Sequence, residues 1–182
     1  MLGAAFEGAL VSDFYAAYNT YIGPHQRCWA HLLRVAHPDD GDVATWAAAL
    51  HALYQEAKQQ AATAQPDAAR LAARDTLGHQ LAALYQPFWA ADCATPQAVP
   101  CRRVDLFLDE LLTFVADPAV PPDNNLAERI LRPLVIARTI SGSRSAAGAR
   151  TRMALVSPFA TWLAQGRDPF LACRQLLFAQ TL

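Results

Sequence analysis

The chain has 182 residues, of which 53% are hydrophobic and 17% charged, and this balance is typical of a helix-rich globular protein and excludes an intrinsically disordered one. No apolar run approaches the ~20 residues needed to cross a bilayer, and no basic segment precedes an apolar one at the N-terminus, so we expect a cytoplasmic protein with no membrane partner. The four cysteines are scattered without paired spacing, which argues against a disulfide framework or a zinc cage.

The net charge of −1 conceals a strong asymmetry along the chain. Residues 1–128 hold 7 basic and 15 acidic side chains, a net charge of −8, whereas residues 129–182 hold 8 arginines and the single acid Asp168, a net charge of +7. Arginine has a planar guanidinium that suits phosphate groups well. The concentration of arginine after Glu128 therefore points to a polyanionic partner.

The first elements are short. Residues 9–13 (ALVSD) predict a strand, FYAAYNTY predicts a short helix, and Gly23-Pro24 predicts a turn. The segment HQRCWAHLLRVAHP predicts a strand around residues 27–30 that passes into a helical turn before Pro38. Residues 43–90, with apolar spacings of three and four and one break near Pro66, predict a helical hairpin.

The second half of the chain is predicted to be helical with proline-rich breaks. A loop over residues 92–101 leads into an amphipathic helix, VDLFLDELLTFVAD, in which Leu106, Leu111 and Phe114 are predicted core positions. A helix through DNNLAERILRPLVIAR follows, in which Leu126, Ile130 and Leu134 form the packing face. The loop SGSRSAAG and helices over residues 149–165 and 169–179 complete the chain.

Two carboxylates are candidate metal ligands. Asp13 closes a predicted strand, where a side chain is held rigidly, although a strand-ending Asp is also a common turn residue or helix cap. Glu128 shares a helix face with Asn125 and Arg132, but the same spacing is typical of a capping box and an ordinary ion pair. Two carboxylates from separate elements are what two-metal phosphoryl transfer requires.

Three further features have both a functional and a structural interpretation. Cys28 and His31 have a CxxH spacing, which favours a packed strand-to-helix corner over a metal site because no second pair stands at zinc-finger spacing. Trp29 is predicted to be a core residue. The segment around Arg138, Ser141 and Arg144 is interpreted either as a phosphate-contacting loop or as a solvated one.

Read in order, four segments resemble the transposases of the insertion sequence 66 family. They are LVSDFYAAYN, HQRCWAHLLR, PPDNNLAERILRPLVIAR and ISGSRSAAGARTRMALVSPFATWLAQGRDPFLACRQLL. The resemblance implies a ribonuclease-H-like fold, α/β but mostly helical here, with a helical insertion. It also implies a DDE triad that holds two Mg²⁺ (or Mn²⁺) ions, with the second Asp on Asp13 and the Glu on Glu128. The Cys28–His31 motif is implied to be a structural support.

The resemblance also predicts what the chain does with DNA. Its relatives bind transposon ends, cleave a phosphodiester and join the freed 3′-OH to target DNA, and we expect Arg132, Arg138 and Arg144 to contact phosphates. Residues 1–40 are expected to form a partial ribonuclease-H-like core, 41–118 a helical insertion, and 119–182 the helix with the catalytic Glu and the basic C-terminal helices.

The chain departs from the family pattern in two places. The family's first Asp lies on a strand well before the LVSD block, and only twelve residues, with Glu7 the only acid, precede Asp13. We therefore expect a truncated core that lacks its first strands and is inactive alone. Thr139 replaces a lysine typical of the family. The alternatives are a non-catalytic DNA-binding remnant that pairs with a full-length transposase or with itself, and a product with no selected role.

Overall fold

The computed structural model describes residues 6–36, 41–88, 98–142 and 145–179. Within these ranges the chain forms two short strands, β1 (Leu10–Ser12) and β2 (His25–Arg27), and is otherwise mostly helical. The helices are α1 (Trp29–Val35), α2 (Gly41–Ala62), α3 (Asp67–Tyr85), α4 (Ala98–Leu111), α5 (Thr113–Ala116), α6 (Asn125–Ser141), α7 (Ala146–Ala164) and α8 (Pro169–Ala179), with 3-10 helices at Ala16–Thr20 and Gln86–Phe88.

The chain divides into two compact units, Met1–Asn125 and Leu126–Leu182. The first unit holds both strands and helices α1 to α5, and the second holds nearly all of α6 together with α7 and α8. The sequence-based domain boundaries at residues 40 and 118 do not coincide with this division, and they remain a prediction. None of the helices within the described ranges is both long enough and apolar enough to cross a membrane.

The two strands form a parallel pair in the first unit. The register places Leu10 opposite His25 and Ser12 opposite Arg27, and the pairing is extended by a hydrogen bond from the Cys28 amide to the Ser12 carbonyl (2.8 Å). Parallel strands cannot be joined by a tight hairpin. The segment between them contains the 3-10 helix Ala16–Thr20, which carries the chain back to the start of β2.

The core of the first unit lies among α1 to α5. Trp29 stacks on Tyr54 at a centroid distance of 4.9 Å and donates its indole N–H to the Leu111 carbonyl (2.6 Å). α2 and α3 form the hairpin predicted from the break at Pro66, and their apolar faces contribute Leu50 and Leu77 to this core. The prediction that Trp29 is a core residue is confirmed, since it is 1% exposed.

Several sequence-based boundaries were wrong. The second strand ends at Arg27 instead of beginning there, because α1 starts at Trp29. α4 already begins at Ala98, within the predicted loop, because Pro100 lies in its first turn, where a proline needs no amide donor. α6 extends to Ser141, so Arg138 and Ser141 are helical and not in a loop. That helix ends at Gly142, whose φ of 63° suits a glycine cap.

Two predicted apolar faces were also partly wrong. Leu111 and Phe114 are buried as predicted, but Leu106 is 63% exposed because α4 is kinked at the non-helical residue Phe107. In the second unit Leu126 is exposed, whereas Ile130 and Leu134 are half-buried in an apolar groove between α6 and α7. The helices predicted near residues 149–165 and 169–179 are confirmed as α7 and α8.

Candidate functional site: the carboxylate at the end of the first strand

Asp13 follows directly after β1, at the carboxyl end of the strand, the end at which open parallel sheets commonly bind ligands. The residue is half-buried, and its carboxylate oxygen Oδ1 accepts a hydrogen bond from the Tyr15 amide (3.0 Å). This bond is the turn contact that the sequence offered as the alternative to a metal ligand. It occupies one position on one oxygen, so the carboxylate retains the capacity to bind a cation.

A buried arginine, Arg27, donates a hydrogen bond to the backbone of Asp13. Arg27 is 0% exposed, and its Nη1 donates to the Asp13 carbonyl oxygen at 3.0 Å. Its Nε donates to Glu110 Oε2 at 2.6 Å, and its Nη2 donates to Asn19 Oδ1 at 2.7 Å. One guanidinium thus joins the end of β1, the 3-10 helix and α4.

A buried polar network continues from Arg27 across the sheet. His25 is 5% exposed; its Nδ1 lies 3.1 Å from Glu110 Oε2, and its Nε2 lies 2.7 Å from Ser12 Oγ. Burial and, after it, the positive charge of Arg27 lower the pKa of His25 from its ordinary value of 6.5, and Glu110 opposes that shift. The imidazole is therefore neutral at pH 7, with one donor nitrogen and one acceptor nitrogen.

The carboxylate of Glu110 determines how the hydrogens of this network are arranged. A carboxylate oxygen accepts hydrogen bonds, so the contact with Glu110 is made when the imidazole proton lies on Nδ1, and Nε2 is then the acceptor that faces Ser12. The Ser12 hydroxyl also lies 2.9 Å from the Asp13 carbonyl, but it has one hydrogen to donate. The Asp13 carbonyl oxygen, which has two lone pairs, contacts both the Ser12 hydroxyl and the Arg27 guanidinium.

Ser12, His25 and Glu110 have the order of a nucleophile, a base and an orienting acid. A nucleophile must reach its substrate, and Ser12 is only 3% exposed. Its hydroxyl is held between the strand end and the imidazole. The network is better suited to fixing the strand end than to acyl transfer.

A second arginine lies close to Asp13 on the α4 side. The Arg103 guanidinium stacks over the Phe14 ring at 4.6 Å, and the charge of Asp13 opposes the lowering of the Arg103 pKa by burial. The two aromatic rings lie between the two arginines, since Phe14 lies 5.8 Å from Phe107 and Arg27 lies 4.2 Å over the Phe107 ring. A cavity of about 210 Å³ opens beside this column and is also lined by Arg102.

Cys28 and His31 lie at the start of α1. Cys28 is fully buried, its Sγ accepts from the Asn124 amide (3.5 Å), and burial raises the pKa of its thiol. Metal binding by cysteine requires the thiolate, so this environment disfavours it. The His31 carbonyl accepts from Arg103, which connects the motif to α4. These contacts are of the packing and hydrogen-bonding kind expected of a structural corner.

The remaining candidate residues lie in or near α6. Glu128 is half-buried and stands four residues before the exposed Arg132, so the two share a helix face as predicted. Arg138 is exposed, about a third of a turn around the helix from Arg132. At the start of the helix, Asp123 Oδ1 accepts a hydrogen bond from the Asn125 amide (3.0 Å). Arg144 lies outside the described residues.

The residues present can be compared with the needs of a magnesium ion. Mg²⁺ is usually bound by one or two carboxylates together with waters and substrate phosphates. Asp13 and Glu128 are carboxylates of that kind. In the part of the chain that the structure describes, no group of three His, Cys, Asp or Glu residues lies close enough together to hold an ion. Asp13, whose Oδ1 accepts from the Tyr15 amide, has the oxygen chemistry of one such ligand.

In a comparison with protein-family models, the model described as "Transposase IS66 family" matches residues 1–151. The chain belongs to the IS66 family of transposases. No curated protein and no solved structure matches it. The match spans both strands, α1 to α6 and the first residues of α7, and therefore includes Asp13 and Glu128. The resemblance predicted from the sequence is confirmed, and membership in the IS66 family implies a function related to transposition with DNA as the partner.

Sequence reasoning did not identify three of the residues around Asp13. His25 and Arg27 lie in a segment for which a strand, a helical turn and the family resemblance were predicted but no role for these two side chains, and Glu110 lies in a predicted amphipathic helix. The available signal was a run of polar residues, HQR, next to the apolar corner CWAHLL. A strand whose three side chains are all polar and all buried must be supported by specific partners.

Proposed function

We propose that this chain acts in DNA transposition as part of a transposase catalytic core, in which Asp13 and Glu128 supply carboxylates for phosphodiester cleavage and strand transfer. The observation that supports this best is the placement of Asp13 at the open end of a parallel strand, with its backbone fixed by Arg27, in a chain of the IS66 family. The proposal includes a ribonuclease-H-like arrangement of the strands.

The chemistry assigns separate tasks to the residues. Two divalent ions, Mg²⁺ or Mn²⁺, would supply activation of water or of the 3′-OH and stabilisation of the leaving oxygen when bound. Asp13 and Glu128 would hold these ions, and a further ligand would have to come from outside the described residues. Arg132, Arg138 and Arg144 would bind DNA phosphates. Their positive charges would offset the repulsion between the negative phosphates and the carboxylates.

A DNA-binding experiment tests the carboxylates without requiring turnover. Fluorescence anisotropy of a labelled duplex is measured as Mg²⁺ is added at constant ionic strength. We expect Mg²⁺ to strengthen binding, because an ion shared by a carboxylate and a phosphate adds attraction. Asp13→Asn and Glu128→Gln should each reduce this gain, whereas Asp109→Asn, at an 88% exposed side chain, should retain it. A Mg²⁺ effect that survives both active-site substitutions contradicts the proposal.

The expected cleavage activity of the isolated chain is very low or absent, since two carboxylates do not complete a two-ion site. The measurement is strand cleavage of a labelled duplex with Mg²⁺ or Mn²⁺. Robust cleavage that disappears in Glu128→Ala would show that the chain holds a complete site.

The alternative is a non-catalytic role in which the chain binds DNA by its arginines, alone or with a full-length transposase. Its supporting observation is the exposure of Arg132 and Arg138 in α6. This role predicts salt-sensitive binding that is unchanged in Asp13→Ala and weakened when Arg132, Arg138 and Arg144 are replaced by alanine. Mg²⁺-independent binding in the native chain would favour it over the catalytic role.

A further inference from the structure

We propose that Arg27 is a positioning residue, which holds Asp13 so that its carboxylate faces the cation and the DNA backbone. This inference rests on the proposed function, because that function makes Asp13 a ligand of a divalent ion. Arg27 does not touch substrate itself. It acts through the peptide of Asp13 and determines where the carboxylate lies.

The geometry supports a clamp of fixed shape. The three nitrogens of Arg27 each donate to a different part of the first unit: Nη1 to the Asp13 carbonyl (3.0 Å), Nε to Glu110 (2.6 Å) and Nη2 to Asn19 (2.7 Å). Because the guanidinium is planar and rigid, two of these contacts fix where the third donor points. The Asp13 carbonyl is therefore held relative to α4 and to the 3-10 helix.

The burial of Arg27 makes this clamp specific. Its side chain is 0% exposed, and a buried charge requires partners to offset the loss of hydration. Glu110 provides the opposite charge, and the ring of Phe107 covers the guanidinium at 4.2 Å. The kink of α4 at Phe107 lies at this contact. The guanidinium itself is shielded from water, whereas its partners Glu110 and Asn19 lie nearer the surface.

The position of Arg27 in the sheet explains why it reaches Asp13. It pairs with Ser12 across the parallel strands, so its side chain emerges one residue before the carboxylate. The Asp13 carbonyl oxygen also contacts the Ser12 hydroxyl (2.9 Å), and Arg27 is the charged donor to it. Functional carboxylates need placement to within about 0.5 Å, which a two-strand sheet of three residues each would not give unaided.

The test uses Mn²⁺ as the probe and backbone NMR of the full chain as the readout. Bound Mn²⁺ broadens nearby amide signals even at weak affinity, and Asp13, Phe14 and Tyr15 report the site. We expect selective broadening in the native chain and its loss in Asp13→Asn. Arg27→Lys should require about tenfold more Mn²⁺ for the same broadening, the lower end of the range for partners that orient metal ligands.

Two further variants separate positioning from general stability. Thr113→Val removes a hydrogen bond to the carbonyl of His25 (2.6 Å), on the same strand but away from Asp13, and should leave the Mn²⁺ titration unchanged. Asn19→Ala removes the Nη2 partner at an exposed side chain and should weaken Mn²⁺ binding several-fold. If Arg27→Lys gives no dispersed spectrum, Asn19→Ala decides.

The possible outcomes separate metal binding by Asp13 from the positioning of Asp13 by Arg27. Absence of selective broadening in the native chain refutes the metal site at Asp13, and the role of Arg27 with it. Broadening that is lost in Asp13→Asn but unchanged in both Arg27→Lys and Asn19→Ala overturns the role of Arg27 alone. An equal loss in Thr113→Val would also overturn it, because sheet stability would then explain the effect.

Discussion

Replacing Glu110 by alanine should destabilise the first unit far more than the same change at its neighbour Asp109. Glu110 Oε2 accepts from Arg27 Nε at 2.6 Å and lies 3.1 Å from His25 Nδ1, so its removal leaves two buried groups without their carboxylate. Asp109, at 88% side-chain exposure, makes one long contact of 3.4 Å with Arg74.

The expected loss of unfolding free energy in Glu110→Ala depends on how much of the Arg27–Glu110 ion pair is buried. Breaking a buried ion pair by removing one partner typically costs about 3–5 kcal/mol. Glu110 is 34% exposed and Arg27 keeps two other acceptors, so we expect a loss of about 2–3 kcal/mol. For Asp109→Ala we expect a change below about 0.5 kcal/mol. Both sites lie at the end of α4, so the removal of a negative charge near the helix C-terminus is common to both variants.

Urea unfolding followed by tryptophan fluorescence measures this difference, because Trp29 and Trp46 are buried in the first unit. With a slope of about 2 kcal/mol/M for a chain of this size, Glu110→Ala should unfold at roughly 1–1.5 M lower urea. Equal midpoints for the two variants would refute the reasoning, since they would show that Arg27 does not depend on Glu110. A changed slope would indicate a loosened native state, and the midpoints would then be compared with far-UV circular dichroism.

Two other predictions follow from shifted pKa values. Because the pKa of His25 in the folded chain lies below 6.5, its neutral form supports stability that is complete above pH 6.5 and is lost as the pH falls through the lowered value. His25→Gln should flatten that part of a plot of unfolding free energy against pH, and an unchanged slope would contradict the assignment. Burial raises the pKa of Cys101 to about 11, whereas Cys173 is only partly buried. Iodoacetamide should therefore modify Cys173 well before Cys101 in the native chain, as measured by peptide mass spectrometry, and equal rates would show that the core opens readily.

The sequence predicted best what depends on local patterns. The hairpin around Pro66 and the two C-terminal helices were found because apolar spacing and breakers determine them. The strand at His25–Arg27 was misplaced because its residues are polar and buried, which reverses the usual pattern. Leu106 was assigned to the core because a regular helix would turn it inward, and the kink at Phe107 was not visible in the spacing.

The candidate site was predicted in part. The family resemblance selected Asp13 and Glu128, and their roles remain predictions. The support around Asp13 could not be found from one sequence, because Arg27 and Glu110 are separated by 83 residues and only the fold brings them together. Neither residue type nor spacing distinguishes a buried pair of this kind from two ordinary surface charges.

The same separation has a consequence for how the chain folds during synthesis. Strand β2 leaves the ribosome early, but Gln26 bonds to the carbonyl of Leu111 and to the amide of Phe114, and Trp29 also bonds to Leu111. None of these partners exists until about eighty further residues have been translated. The strand pair should therefore remain open on the ribosome and close in one late step, after α5 has emerged. Nascent chains arrested before that point would expose the segment around Trp29 to proteases and chaperones, and longer ones would protect it.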